Sequence, residues 1–109
     1  MMNNFVIVAR FMELKPAKEY GDDASLLTLK APRAYKNADG EYEEDMFDVV
    51  LKGNIASNTA EYCSAGDVIG IKGRIESFKY EAKSKKFRRT ILVADKVTFL
   101  SSHSSGGDE

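Results

Sequence analysis

Residues 68–80 read VIGIKGRIESFKY, a predicted β-strand in which two kinds of side chain alternate. With a period of two, its apolar residues Ile69, Ile71 and Ile75 point to one side. The other side carries cations together with aromatic rings, namely Lys72, Arg74, Phe78 and Tyr80. A ring can stack on an unpaired base while a neighbouring cation neutralises a phosphate. This strand therefore indicates a surface for single-stranded nucleic acid.

A second strand follows, and the two are predicted to form a charged hairpin. Lysines crowd the turn at Lys83, Lys85 and Lys86, and FRRTILV at 87–93 forms the returning strand. Lysine-rich hairpins also keep proteins soluble and protect sheet edges, so the cations alone leave a solvated face as an alternative. The rings favour a binding role, because a solubilising hairpin has no use for exposed aromatic side chains. One ring could instead lie in a subunit contact.

Composition indicates one domain with two oppositely charged regions. The 109 residues are 43% hydrophobic, which is enough for a modest core but not for two domains. The formal net charge of −1 argues against coating of nucleic acid through bulk charge. Residues 72–89 nevertheless contain eight cations and two carboxylates, whereas residues 37–48 contain six carboxylates and no cation. We therefore expect binding to depend on how the charge is distributed.

Features of export and of disulfide chemistry are absent from the sequence. No apolar run approaches the roughly 18 residues of a membrane span, and the first residues lack the basic and apolar regions of a signal peptide. The single cysteine, Cys63, allows neither an intrachain disulfide nor a cysteine-rich zinc site. We expect it to be a small core residue, in a soluble cytoplasmic protein that has no cofactor.

Three strands are predicted before the hairpin. The first spans 4–12 and is apolar at most positions, so we expect it to be largely buried on both faces. The second spans 25–31, with Leu27 and Leu29 inward. The third spans 46–52, with Phe47, Val49 and Leu51 inward. Its outward set is Met46, Asp48, Val50 and Lys52.

A short helix is predicted between the third and fourth strands. Asn54 is a suitable N-cap, Ile55 and Thr59 recur at helical spacing together with Tyr62 or Cys63, and Gly66 ends the segment. This order of elements is typical of the OB barrel, whose helix closes one end and whose loops bind oligonucleotides. The predicted fold class is therefore all-β, a five-stranded OB-fold barrel over residues 1–100 with one short helix between strands 3 and 4. The polar residues 101–109 are expected to form a short disordered tail.

Three glycines, Gly66, Gly70 and Gly73, lie in or before the fourth strand. Their spacing matches neither a dinucleotide-binding fingerprint nor a P-loop. We expect them to permit a bulge or tight barrel curvature instead.

Six short motifs resemble the bacterial and phage single-stranded DNA-binding protein family, and the resemblance extends from Asn3 to about Leu100. They are NNFVIVARF at 3–11, KP at 15–16 with Tyr20, LTL at 27–29, DVVL at 48–51, AEY at 60–62 and GRI at 73–75. Taken together, the order and spacing of these motifs are specific to this family. The resemblance implies an OB-fold subunit, usually of a homotetramer, that coats and protects single-stranded DNA during replication, recombination and repair without sequence preference.

The resemblance also implies positions that contact DNA. Stacking positions of the family match Tyr35 and Tyr80, and two positions that usually carry rings match Met46 and Lys52. Met46 can pack on a base through its polarizable sulfur, and Lys52 can contact a phosphate. Since the chain has no tryptophan, we expect weaker stacking and a larger ionic share of the affinity. The predicted DNA-binding residues are Arg10, Lys30, Arg33, Tyr35, Lys36, Met46, Lys52, Lys72, Arg74, Phe78, Lys79, Tyr80, Lys83, Lys85, Lys86 and Arg88.

The tail departs from the family pattern. Cellular members usually end in a long flexible segment with an acidic, apolar-tipped peptide that recruits repair enzymes, whereas this tail has only Asp108 and Glu109 as acidic residues. A phage protein, a short cellular paralogue or a truncated chain would each account for this difference. Expected partners are single-stranded DNA and further copies of the chain, with recombination or replication proteins as an open alternative.

Two other classes of function stay open in the sequence. The carboxylates at 39–48 suggest a divalent-metal nuclease, although their spacing differs from a calcium loop and alternate hairpin residues point to opposite faces. The only histidine, His103, lies in the tail, which is a poor place for acid–base catalysis, so no catalytic residue and no metal site is predicted. An OB module that binds only proteins would direct Tyr35, Phe78 and Tyr80 at another chain.

Overall fold

Five strands close into a barrel in the computed structural model, which describes residues 1–102. The strands are β1 (Phe5–Pro16), β2 (Ala24–Lys36), β3 (Tyr42–Lys52), β4 (Val68–Ala82) and β5 (Lys85–Ser101). A 3₁₀ helix (Lys18–Tyr20) joins β1 to β2, and α1 (Gly53–Tyr62) joins β3 to β4. The strands neighbour one another in the order β1-β2-β3-β5-β4, with β3 and β5 parallel and the other pairs antiparallel. The predicted OB-fold barrel is confirmed.

The predicted tail begins inside the last strand, since Ser101 is the final residue of β5. Residues 103–109 of that tail lie outside the described residues. Over residues 1–102, no helix has the length and apolar character that crossing a membrane requires.

Side chains that alternate along the strands fill the barrel interior. The largest fully buried ones include Leu27, Leu29, Val49, Leu51, Ile69 and Ile71, all on the predicted inward faces. Each contributes about 1.5–3 kcal/mol by leaving water. Helix α1 packs on this core through Ile55 and Ala56, and the hydroxyl of its buried Thr59 donates a 2.7 Å hydrogen bond to the Ile55 carbonyl. Cys63 packs against the same core, and partial burial raises the pKa of its thiol.

The first strand differs from the prediction, because only one of its faces is buried. Ala9 and Phe11 point into the core, but Val6 is 69% exposed and Val8 is 58% exposed. Neither valine is part of a core cluster in the described residues. A Cβ added at Gly70, which pairs with Val8, would lie 3.9 Å from Val8 Cγ2 and 3.6 Å from Leu100 Cδ1. The outside of the barrel therefore has an apolar patch here, formed by Val6, Val8 and Leu100.

The start of the helix also differs from the prediction. Helix α1 begins at Gly53, without a side-chain cap, and Asn54 lies inside the first turn. Gly53 has a φ of +58°, a conformation that glycine adopts without steric cost, and its N–H donates a 3.1 Å hydrogen bond to the Asp23 carbonyl. A backbone group from the segment before β2 thus replaces the predicted asparagine cap. Tyr62, the last residue of the helix, is exposed and is not part of the core.

A bulge interrupts the pairing of β4 with β5 at Lys72 and Gly73, where Asp95 is an extra residue in β5, and this confirms the prediction that Gly73 permits a bulge. Strand β1 pairs with β4 only as far as Gly73, and β3 pairs with β5 only at Leu92 and Val93, so from Glu76 onward β4 leaves the barrel wall together with its partner β5. Ile75, predicted to point inward, is 41% exposed, since it lies beyond the last β4 residue that pairs with β1. The Asn3 side chain replaces the lost strand partner there, accepting a 2.9 Å hydrogen bond from the Ile75 N–H and donating a 2.6 Å one to its carbonyl.

Candidate nucleic-acid interface

Residues 76–91 form a two-stranded arm that extends beyond the barrel wall. Within this arm β4 and β5 pair only with each other, from Glu76 with Ile91 to Ala82 with Lys85, whereas Leu92 and Val93 still pair with β3. The arm ends in a two-residue turn at Lys83 and Ser84, whose φ values are +53° and +65°. Positive φ at both central residues matches a type I′ turn, which suits the twist of the flanking strands. The turn fixes which side chains share each face of the arm.

One face of the arm carries a row of aromatic rings. Tyr80 lies opposite Phe87, and their rings stack with centroids 5.4 Å apart and an interplanar angle of 22°. Phe78 lies 6.5 Å from Tyr80 at an angle of 17°, and Tyr20 meets the edge of Phe78 at 4.8 Å. We call these four residues the ring ladder. The three rings of the arm, Phe78, Tyr80 and Phe87, are therefore roughly parallel, and Tyr20 adds an edge contact from outside the arm.

The Arg89 side chain contacts three rings of the ladder. Its guanidinium carbon lies 5.2 Å from the centroid of Tyr80, 5.3 Å from that of Tyr20 and 5.9 Å from that of Phe78. It also donates a hydrogen bond to the Tyr20 hydroxyl. A cation over ring faces is attracted by their quadrupoles, and Arg is the residue that best combines stacking with phosphate binding. Arg89 therefore both orders the ladder and places a positive charge within it.

Sequence reasoning identified Phe78 and Tyr80 but missed Tyr20, Phe87 and Arg89 as members of the site. Strand alternation counted across a two-residue turn would have placed Phe87 and Arg89 beside the two rings. No local signal could have found Tyr20, because it lies 69 residues before Arg89 in the chain.

The opposite face of the arm is cationic. Lys79 pairs with Arg88, and Glu81 pairs with Lys86, so these side chains alternate with those of the ring ladder. Among residues 1–102, none of these three cations forms an ion pair, and neither do Lys83 and Lys85 near the turn. The predicted sites Lys79 and Arg88 therefore lie on the other side of the arm from the predicted stacking residues.

A groove with a volume of about 400 Å³ lies beside the ring ladder, and Tyr20, Leu26, Met46, Asp48, Arg89 and Ile91 belong to its lining. Its floor is a second apolar cluster in which Tyr20 and Leu26 pack over the buried residues Val50 and Val93. Val50, predicted to face outward, does lie away from the main core, but the 3₁₀ helix and β2 cover it. Met46 is 56% exposed at the edge of this groove, so the residue is accessible to a ligand.

Three of the predicted phosphate-binding cations contact carboxylates of the protein itself. Arg33 donates to Asp45 at 2.9 Å and to Glu43 at 2.8 Å, and its hydrogen bond with Asp45 raises the pKa of the guanidinium. Lys30 lies 3.1 Å from Glu44. Arg74 donates to Glu76 at 2.6 Å and also to Asp95, and the bond to Glu76 raises the pKa of Arg74. A phosphate would have to compete with these carboxylates.

The remaining predicted residues are dispersed over the barrel. Arg10 donates a 2.8 Å hydrogen bond to the Gly66 carbonyl. Tyr35 is exposed on the β2–β3 hairpin, where Lys36 lies 5.7 Å from the Tyr42 ring centroid. Lys52 is the N-cap of α1, and Lys72 pairs with Val6 next to the apolar patch. The structure thus brings together the arm and groove residues but does not bring these five to them.

The carboxylates that suggested a metal site form a different arrangement. Arg33 and Lys30 contact three of them, as described above, and the Asn37 side chain donates a 3.1 Å hydrogen bond to Glu43. Among the described residues, no group of three or more His, Cys, Asp or Glu side chains is arranged to hold a metal ion.

Solved structures with this fold include proteins that bind single-stranded DNA. The Plasmodium falciparum SSB, solved in complex with single-stranded DNA, matches with a TM-score of 0.67 and 16% identity over 93% of this chain and 96% of that one. A small single-stranded DNA-binding protein from Mycoplasma pneumoniae matches with a TM-score of 0.62 and 17% identity over 89% of this chain and 92% of its own. At these identities the matches establish the fold.

Sequence comparison places the chain in a family. The single-stranded DNA-binding protein of Clostridium tetani is 40% identical over 103 residues, which cover 91% of this chain and 70% of that protein. Single-stranded DNA-binding protein B of Bacillus subtilis is 35% identical over 104 residues, which cover 92% of this chain and 91% of that protein. The model of the single-strand binding protein family matches residues 2–100. The chain therefore belongs to the single-strand binding protein family.

Proposed function

We propose that this protein binds single-stranded DNA with little regard to its sequence, and that it coats and protects the strand during replication, recombination and repair. The observation that carries the proposal is the ring ladder with Arg89 at its centre. Stacking on aromatic rings accepts every base, because each base has a π-face. Family membership supports the same function. The protein would act in the cytoplasm without catalysing a reaction on DNA.

The cations of the arm would bind the DNA backbone. Those on the face opposite the ring ladder and near the turn have no carboxylate partner in the described part of the chain, so their charge is available to phosphates. Arg33, Lys30 and Arg74 would contribute less, because a phosphate must displace a carboxylate from each of them. A strand that follows the arm could stack bases on one face and contact phosphates from the other.

Self-association would use the apolar patch of Val6, Val8 and Leu100. An exposed apolar patch on a small barrel marks an interaction surface, and its position on the β1–β4–β5 wall leaves the ring ladder free. A second copy of the chain is its proposed partner, and a homotetramer is the proposed assembly, as the resemblance to the family implies.

Titration with a single-stranded oligonucleotide tests the function. We expect saturable binding with quenching of tyrosine emission, because Tyr20 and Tyr80 would stack on bases, and an intact strand after incubation with magnesium or calcium. Double-stranded DNA of the same sequence is the control, since its stacked bases cannot reach the ladder. Strand cleavage would favour the nuclease alternative, and absence of binding would favour an OB module that recognises only proteins.

Replacing Lys83, Lys85 and Lys86 together with alanine is expected to weaken binding equally for poly-dT and mixed sequences. Each lost phosphate contact lowers the slope of log affinity against log salt by about 0.7, so the triple variant should lose up to about 2 from that slope. Affinities measured at several salt concentrations determine the slope, and a denaturant titration checks that the variant is folded. A slope equal to that of the wild type would show that the tip of the arm is only solvated.

A further inference from the structure

The groove beside the ring ladder has the dimensions and lining of a site for one nucleobase. Its volume of about 400 Å³ falls in the range of roughly 300–1,000 Å³ that small-ligand sites occupy. The Tyr20 ring and the Met46 thioether border an apolar floor over which Leu26 and Ile91 pack. A flat base can contact such walls through its faces, while its polar edge must find hydrogen-bonding partners.

Asp48 supplies a polar group of a definite kind to this groove. Thr28 donates a 3.0 Å hydrogen bond to Asp48 Oδ1, which orients the carboxylate. Asp48 is exposed and forms no ion pair within residues 1–102, not even with Arg89 on the same groove. Oδ2 is therefore left to accept a hydrogen bond from a ligand, and an ionised carboxylate only accepts.

We propose that Asp48 makes this groove prefer a base with an exocyclic amino group, cytosine above all, over one that presents a carbonyl at the same position. An aspartate accepts from the cytosine amino group, whereas the corresponding carbonyl of thymine or uracil would face the carboxylate without a proton between them. Glu19 is a second carboxylate of the groove, so two carboxylates outweigh the single cation Arg89 and a neutral base is favoured over a phosphate. The preference is confined to one position on the strand, and it rests on the proposed binding of single-stranded DNA.

Oligo-dC and oligo-dU of equal length provide the test, because the two bases differ at the amino or carbonyl group. Affinities for both are measured for the wild type and for Asp48→Asn at one salt concentration and mildly alkaline pH, where cytosine is neutral. Asparagine keeps the shape but can donate to a carbonyl. We expect the wild type to prefer dC and the dC-to-dU affinity ratio to fall by about tenfold in the variant, in line with the discrimination of a good base contact.

Glu44→Gln serves as the matched control. Glu44 is also on β3, four residues earlier and on the same face, but it contacts Lys30 rather than the groove. Its substitution removes the same charge and should leave the ratio at the wild-type value. A ratio that stays constant in Asp48→Asn, or shifts equally in both variants, would overturn the inference. Failure of the wild type to bind either oligonucleotide would instead reject the proposed function.

Discussion

Replacing Gly73 with alanine is expected to cost at least about 3 kcal/mol of unfolding free energy, a large share of the 5–15 kcal/mol typical of a domain. A Cβ at this position would lie 2.0 Å from the Val93 carbonyl oxygen and 2.9 Å from Phe5 Cε2. The oxygen belongs to the backbone of the paired strand, so no rotamer change can relieve the contact. The substitution would have to separate β4 from β5 at the bulge where the arm leaves the barrel.

Gly70→Ala is the matched control for this prediction. Gly70 lies on the same strand, but its added Cβ would make ordinary contacts with the Leu100 and Val8 side chains, at 3.6 Å and 3.9 Å. Urea titrations of both variants, followed by circular dichroism, measure the difference in stability. Equal midpoints for the two variants would contradict the role assigned to the bulge.

Replacing Arg89 with alanine is expected to weaken binding of single-stranded DNA by roughly 1–3 kcal/mol, or about fivefold to 150-fold. The guanidinium contacts three rings and the Tyr20 hydroxyl, so its removal leaves the ring ladder without its central cation. Bases would then meet rings that are less ordered, and one positive charge would be missing between them. Fluorescence titration with oligo-dT measures the loss.

The neighbouring residue offers a control with the same charge and backbone. Arg88 lies on the other face of the arm, opposite Lys79, and contacts no ring of the ladder. Arg88→Ala should flatten the salt dependence by the amount of one phosphate contact and leave the near-ultraviolet dichroism of the free protein unchanged. Arg89→Ala should alter that dichroism. Equal affinity losses with unchanged dichroism in both variants would mean that Arg89 acts only as a charge.

Much of the barrel was predictable because strand alternation is a local property. The inward positions of Leu27, Leu29, Val49 and Leu51 follow from a period of two. The helix between the third and fourth strands follows from a change in that period. The ends of the strands were harder to predict. Strand β2 continues to Lys36 and β4 to Ala82, because the hairpins that they form extend beyond the barrel wall. The sequence also did not show which outer face of the barrel is uncovered: Val6 and Val8 are exposed, although they were predicted to be buried.

The site was only partly predictable. The alternation of Phe78 and Tyr80 along one strand is sufficient to place both rings on one face. The same rule places Lys79 on the opposite face. Alternation cannot show that Lys79 forms no ion pair within residues 1–102, because that depends on where the carboxylates of the other strands lie. Arg33 and Arg74 demonstrate this dependence, because their carboxylate partners come partly from other strands.

By itself, the sequence determined the barrel, its helix and a hairpin with rings and cations, since these depend on neighbours a few residues apart. The tertiary structure alone decided that Tyr20 completes the ring ladder and contacts Arg89. It also decided that Asp48 borders a groove. These contacts join segments far apart in the chain, and they form only when the barrel closes and sets the register of β3 against β5. The hydrophobic pattern fixes only which face of each strand points inward; because no turn joins β3 to β5, their register is set by the packed core.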